Sequence, residues 1–128
     1  MRDIAVEGCE LEPVSTTQTP ATGNISITSV ASTEVTVNGK GVYFKEIRFS
    51  VTNSNGSGSV TNNDGTGEGV IMASGSSMVE LPSEYKAVLE GDESAEVQIN
   101  GHSGQYEATG YIKVRVKKAG QTDTSLDD

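Results

Sequence analysis

Few side chains in this sequence could do chemistry, and their types restrict what that chemistry could be. The chain has one histidine, His102, and one cysteine, Cys9. A closed zinc site takes four Cys or His ligands, so a single chain cannot build one. One route to a metal is left: a three-fold oligomer with His102 near its axis. A Ser-His-Asp or Cys-His pair would have to use the same His102. Gly101-His102-Ser103-Gly104 reads as a turn, and no spacing sets Cys9 or a particular serine beside it. Asn62-Asn63-Asp64-Gly65-Thr66-Gly67-Glu68 has the composition of a calcium loop. It lacks the alternating acids and terminal bidentate acid of a helix-loop-helix site, and no helical period flanks it. The expectation is therefore a mobile hairpin loop, not a calcium site.

Carboxylates are plentiful, but a hydrolytic pair wants a cleft lined with aromatic rings. Two Phe, four Tyr and no Trp supply such a cleft poorly. The Gly-rich stretches are not followed by Lys-Ser or Lys-Thr and open no helix, so they do not form a phosphate loop. The expectation is a protein that is not an enzyme and takes no cofactor.

Composition bounds the rest. One hundred and twenty-eight residues make one domain, with a thin core of Val and Ile, since only 34% of residues are hydrophobic. Fifteen Gly, with many Ser, Thr and Asn, favour turns and strands over helices. The net charge of −9 disfavours nucleic acid and anionic membranes, and fits a solvated acidic surface, cation binding or a basic partner. A single cysteine forms no internal disulfide. No apolar run is long enough to span a membrane as a helix. Acids interrupt Met1-Arg2-Asp3-Ile4-Ala5-Val6-Glu7-Gly8, so the expectation is synthesis in a cytoplasm without a signal peptide.

The elements follow from period-two alternation. Ile4-Ala5-Val6 reads as a short strand ending at Gly8, and Glu10 to Thr22 as a polar, Pro-containing connector or extended arm. Strands are expected at 24–30, 35–37, 41–44, 46–52, 69–73, 77–81, 85–89, 96–99 and 110–116. Asn38-Gly39 and Asn100-Gly101 are hairpin signals, because both residue types tolerate positive φ. Asn53 to Gly69 reads as a flexible, low-complexity loop, and Glu90-Gly91-Asp92-Glu93 as an acidic turn. Lys113, Arg115, Lys117 and Lys118 either face solvent or meet the chain's own acids.

One pattern recurs. Units starting at Thr33, Ser77 and Thr122 repeat every 44 to 45 residues, a period that suggests a repeat architecture. Within them stand Gly39-Lys40-Gly41-Val42-Tyr43, Tyr85-Lys86-Ala87-Val88-Leu89-Glu90-Gly91-Asp92 and Lys118-Ala119-Gly120-Gln121-Thr122. Residues 30 to 126 thereby resemble small bacteriophage tail-associated proteins related to the PAAR-type spike-tip proteins of contractile tails. The resemblance implies a pseudo-three-fold β-cone that caps a trimeric β-helical spike. PAAR tips commonly hold a metal with several His and a Cys; here only His102 and Cys9 are present.

The combined expectation is a single all-β domain over 1–128, with an arm at 1–23 and a repeat-containing core at 24–126. Its strands would be short and antiparallel, arranged as the cone or as a β-sandwich. The expected role is that of a structural virion protein of a phage tail or baseplate, with other virion proteins, above all a trimeric tail spike, as partners. The alternative is a β-sandwich capsid decoration or receptor-binding module.

Overall fold

Ile47, Phe49 and Val51 alternate with Arg48 and Ser50, which forces one apolar face on that strand. In the protein all three are buried, and they form the centre of the core with Ile71, Ile99, Ile112, Val114 and Val116. The structure, a computed structural model, describes residues 3–14, 21–75 and 86–117. Among these there is no helix, and the strands are antiparallel: the chain is all-β.

The described residues form eight strands: β1 (Leu11–Val14), β2 (Asn24–Ile27), β3 (Thr36–Val37), β4 (Lys40–Gly41), β5 (Glu46–Ser54), β6 (Gly65–Met72), β7 (Val97–Ser103) and β8 (Tyr106–Val116). Six of them form one sheet in the order β1-β8-β7-β6-β5-β2, while β3 and β4 pair separately. Each neighbouring pair is antiparallel, so β1 and β2 at the two edges also run in opposite directions. These edges approach each other, so the sheet curls into a nearly closed meander barrel. Consecutive strands are thus neighbours all the way round, with the β3–β4 hairpin inserted between β2 and β5.

The inner face needs room as well as bulk. Gly65, Gly67 and Gly69 lie at period two on β6. A Cβ at Gly67 would sit 2.8 Å from Ile99 Cδ1, and one at Gly69 would sit 2.6 Å from Phe49 Cζ. The glycines are therefore the sockets into which large core side chains fit, and the expected loop over 53–69 shrinks to 55–64. Gly101 does the same on β7, where a Cβ would lie 2.6 Å from Val60 Cγ1. For this reason Asn100-Gly101 stays within the strand, and the turn falls at Gly104, with φ 61°. Asn38-Gly39 makes the expected tight turn, with φ of 53° and 82°.

A short mat covers one end. The amide of Ala5 donates to the Val88 carbonyl, that of Val88 to Tyr43, and that of Glu7 to Gly41, placing residues 86–90 between the N-terminal segment and 42–45. Ile4 and Val6, expected as a strand, take part through single bridges to Leu89 and Val42. Of the three recurring units, the first is the β3–β4 hairpin. The second lies outside the described residues except for Lys86–Leu89, and the third lies wholly outside them. The six-stranded meander itself has no three-fold order.

Candidate functional site

Among the described residues, no ladder joins β1 to β2, and the residues there explain why. Lys117 N–H donates to the Glu10 carbonyl at 2.9 Å, so Glu10, Glu12 and Val14 turn their main-chain groups toward β8. Alternation then points those of Leu11 and Pro13 the other way. Thr28 N–H donates to the Arg48 carbonyl at 2.8 Å, which likewise turns Ile25 and Ile27 outward from β5. The two outward edges face each other without a ladder between them.

Pro13 can stand in β1 because its missing N–H would have faced this gap, not β8. The expected connector over 10–22 is thus a strand for four of its residues, Leu11–Val14. A proline in an otherwise polar stretch argues against a strand, and only the neighbours reveal that no ladder bond is lost.

The gap is a groove of about 460 Å³ lined by Gly8, Cys9, Glu10, Leu11, Ile25, Ile27 and Tyr43. Leu11, Ile25 and Ile27 are partly buried and rest on the core. The β1 edge is fixed by ion pairs to β8: Arg115 Nε donates to Glu12 Oε2 at 2.8 Å, and Lys117 Nζ lies 3.7 Å from Glu10. With Lys113 3.2 Å from Glu93, three of the four clustered cations meet the chain's own acids. The fourth, Lys118, lies outside the described residues.

Burial pushes the Cys9 thiol up to about 11, and the negative charge of Glu90 adds to the rise. Burial raises the neighbouring Tyr43 phenol too. The groove therefore presents a neutral thiol, not a nucleophile. Near neutral pH, alkylation of Cys9 is expected to run on the order of a hundredfold slower than that of an ordinary exposed thiol. Timed iodoacetamide labelling with mass detection measures this, and unfolding in urea should remove the difference.

His102 lies in β7, not in a turn. It pairs with Glu107 across β8, and its backbone N–H donates to Asp64 Oδ1 at 2.8 Å. Its ring Nδ1 lies 2.8 Å from Asp64 Oδ2. Beside it, the Asn62 carboxamide both donates to the Gly104 carbonyl and accepts from the Gly104 N–H, at 3.0 and 3.1 Å. These contacts clip the β5–β6 loop to the β7–β8 hairpin, so Asn62 and Asp64 act as a clasp. Among the described residues no three His, Cys, Asp or Glu side chains converge as a metal site.

The His102 ring holds the Asp64 carboxyl below its ordinary range. A depressed carboxyl pKa favours the folded state above the unfolded value, and that gain is lost as pH falls through the folded one. In a carbon NMR titration, Asp64 of the folded chain should titrate below Asp64 of the chain unfolded in urea. In His102→Ala its midpoint should rise toward that unfolded value but stop short of it, because the backbone N–H at 102 still donates to Oδ1.

Polar groups inside the fold are spent on structure. Asp92 is buried and accepts from the Leu89 N–H at 2.9 Å and from the Ser74 hydroxyl at 2.8 Å. No buried side-chain nitrogen or oxygen among the described residues lacks a partner. The seam between β1 and β2 was not legible in the sequence, since it depends on strand order; alternation at Ile25 and Ile27 was the one local sign. Set against protein-family models, curated proteins and solved structures, the chain matches none.

Proposed function

We propose that this chain is a structural virion protein of a bacteriophage tail or baseplate, docking on a trimeric β-helical tail spike. In this reading it is not an enzyme and takes no cofactor. The observation that carries it is the seam, where the main-chain edges of Leu11, Ile25 and Ile27 face a groove floored by apolar side chains. An extended strand of a partner fits such a place: main-chain hydrogen bonds supply affinity, and alternate side chains enter the groove. The chain carries −9 overall, and the cations beside the seam, Arg115 and Lys117, are already paired with Glu12 and Glu10. The complementary strand is therefore basic at its flanks.

Each seam takes one strand, so docking by strand addition predicts three copies of this chain on a trimeric spike, whereas a spike-tip cap predicts one. Fractionation of particles made by the genome that encodes the chain, followed by mass spectrometry, tests the location. Recovery with tails supports the reading; recovery only outside particles ends it.

The capsid decoration or receptor-binding reading has one observation in its favour. Val30 is 88% exposed, and Val35 and Val37 on the inserted hairpin region are also exposed. Such side chains away from the seam offer a second apolar contact. Recovery with capsids instead of tails would favour it.

A further inference from the structure

The sequence contains three Asn-Gly steps, at 38–39, 55–56 and 100–101, which are chemically alike and structurally different. We propose that Asn38 is a self-modifying site, at which the folded protein loses the side-chain amide while Asn55 and Asn100 are protected.

The chemistry needs only water. The main-chain nitrogen of Gly39 gives up its proton and adds to Cγ of Asn38. The new N–Cγ bond closes a five-membered imide, the Cγ–Nδ2 bond breaks, and ammonia leaves. Water then opens the imide at either carbonyl. One opening gives aspartate; the other gives isoaspartate, whose main chain runs through the former side chain. No electron changes hands. The demands on structure are a following residue with no side chain in the way, and a backbone free to swing its nitrogen onto Cγ.

Asn38 meets both. It is exposed, as are all residues from Thr33 to Lys40, and a Cβ at Gly39 would meet nothing within 4 Å. The flanking strands β3 and β4 are two residues each; Gly41, at the far end of β4, also accepts from the Glu7 N–H, but Val37 and Lys40 beside the turn pair with each other, so opening the turn disturbs little else.

The other two steps are locked. Asn100 sits inside β7, opposite Thr66 on one side and Thr109 on the other. Its Oδ1 accepts from the Gln98 carboxamide at 3.0 Å, and Gly101 is buried. Asn55 Oδ1 accepts from the Thr22 N–H at 2.8 Å, and its carbonyl accepts from Gly58 and Val60. Gly56 is buried against Gly110, where even a Cβ would come within 2.7 Å of the Gly110 Cα. Swinging either backbone would break a sheet or a packed loop.

The consequences are local and electrostatic. Either product adds a negative charge to a chain already at −9. Aspartate at 38 still suits the turn, since Asp-Gly adopts the same conformation as Asn-Gly. Isoaspartate lengthens the main chain inside a two-residue turn and breaks the pairing of Val37 with Lys40.

The test is peptide mapping of the full folded chain during incubation in mildly alkaline buffer. Each product adds about 1 Da, and aspartate and isoaspartate peptides separate on chromatography. Asn38 should convert at least about tenfold faster than Asn55 and Asn100, because only those two must first open packed structure. The same chain in urea should convert all three at comparable rates, showing that the fold makes the difference. Conversion of Asn38 no faster than that of Asn100 in the folded chain, while the urea sample reacts at all three, would overturn the proposal. Asn38→Gln should leave a folded chain that gains no such product at this turn.

Discussion

Phe49→Ala is expected to lower the stability of the domain by about 3–5 kcal/mol, the range for removing a fully buried ring from a packed core. Phe49 is 1% exposed, sits at the middle of β5, and touches the surface left open by Gly69 on β6. The ring shares the socket over Gly69 with Val97, and its loss leaves a cavity that glycine cannot close. A domain of this size has about 5–15 kcal/mol in total, so the variant should unfold at far lower urea. Far-ultraviolet circular dichroism against urea concentration measures it. A loss below about 1 kcal/mol would place the core elsewhere.

Asp92→Ala should cost about 2–4 kcal/mol, although only one charged group is removed. The carboxylate is 6% exposed and joins segments that the main sheet does not hold. It accepts from the Leu89 N–H at 2.9 Å, the Ser74 hydroxyl at 2.8 Å and the Ser74 N–H at 3.2 Å. Its own main chain joins β8: Val116 N–H donates to the Asp92 carbonyl at 2.9 Å. Alanine takes this acceptor away from the Leu89 and Ser74 donors, and desolvated donors are costly. Asp92→Asn keeps an acceptor and should lose less. Urea unfolding gives the magnitude; faster hydrogen exchange at Leu89 would locate it. Equal stability of Asp92→Ala and the parent would show that the carboxylate holds nothing.

What could be read from the sequence was set by how far a local pattern determines the structure. The alternation at 47–51 and 112–116 fixed the buried faces of β5 and β8, since one face of each had to be apolar. Asn38-Gly39 declared a tight turn because both residues take positive φ there. The cations of β8 indeed meet Glu10, Glu12 and Glu93. Other elements are invisible to such reasoning. Glycines 65, 67 and 69 resemble a loop until their neighbours Ile99 and Phe49 are known. Asn100-Gly101 carries the same two letters as Asn38-Gly39, yet packing against Val60 keeps it extended. Pro13 hides β1, because its compatibility depends on which side of the strand is vacant. The seam belongs to strand order, and no window of sequence encodes it.

The seam is also where the functional account is most exposed to test. The direct measurement is native mass spectrometry of the purified chain mixed with the trimeric tail-spike protein of the same genome. The account predicts three copies of the chain per spike trimer, with slowed hydrogen exchange at Leu11–Val14 and Asn24–Ile27 in the complex. Ile25→Pro removes an N–H that faces the gap and leaves the β2–β5 ladder intact. The variant also loses the contact of Ile25 with the core, so its urea midpoint should fall somewhat, yet it should stay folded and bind at least about tenfold more weakly. One copy per trimer, or protection confined to strands away from the seam, would contradict docking by strand addition. No complex at all would contradict the spike as its partner.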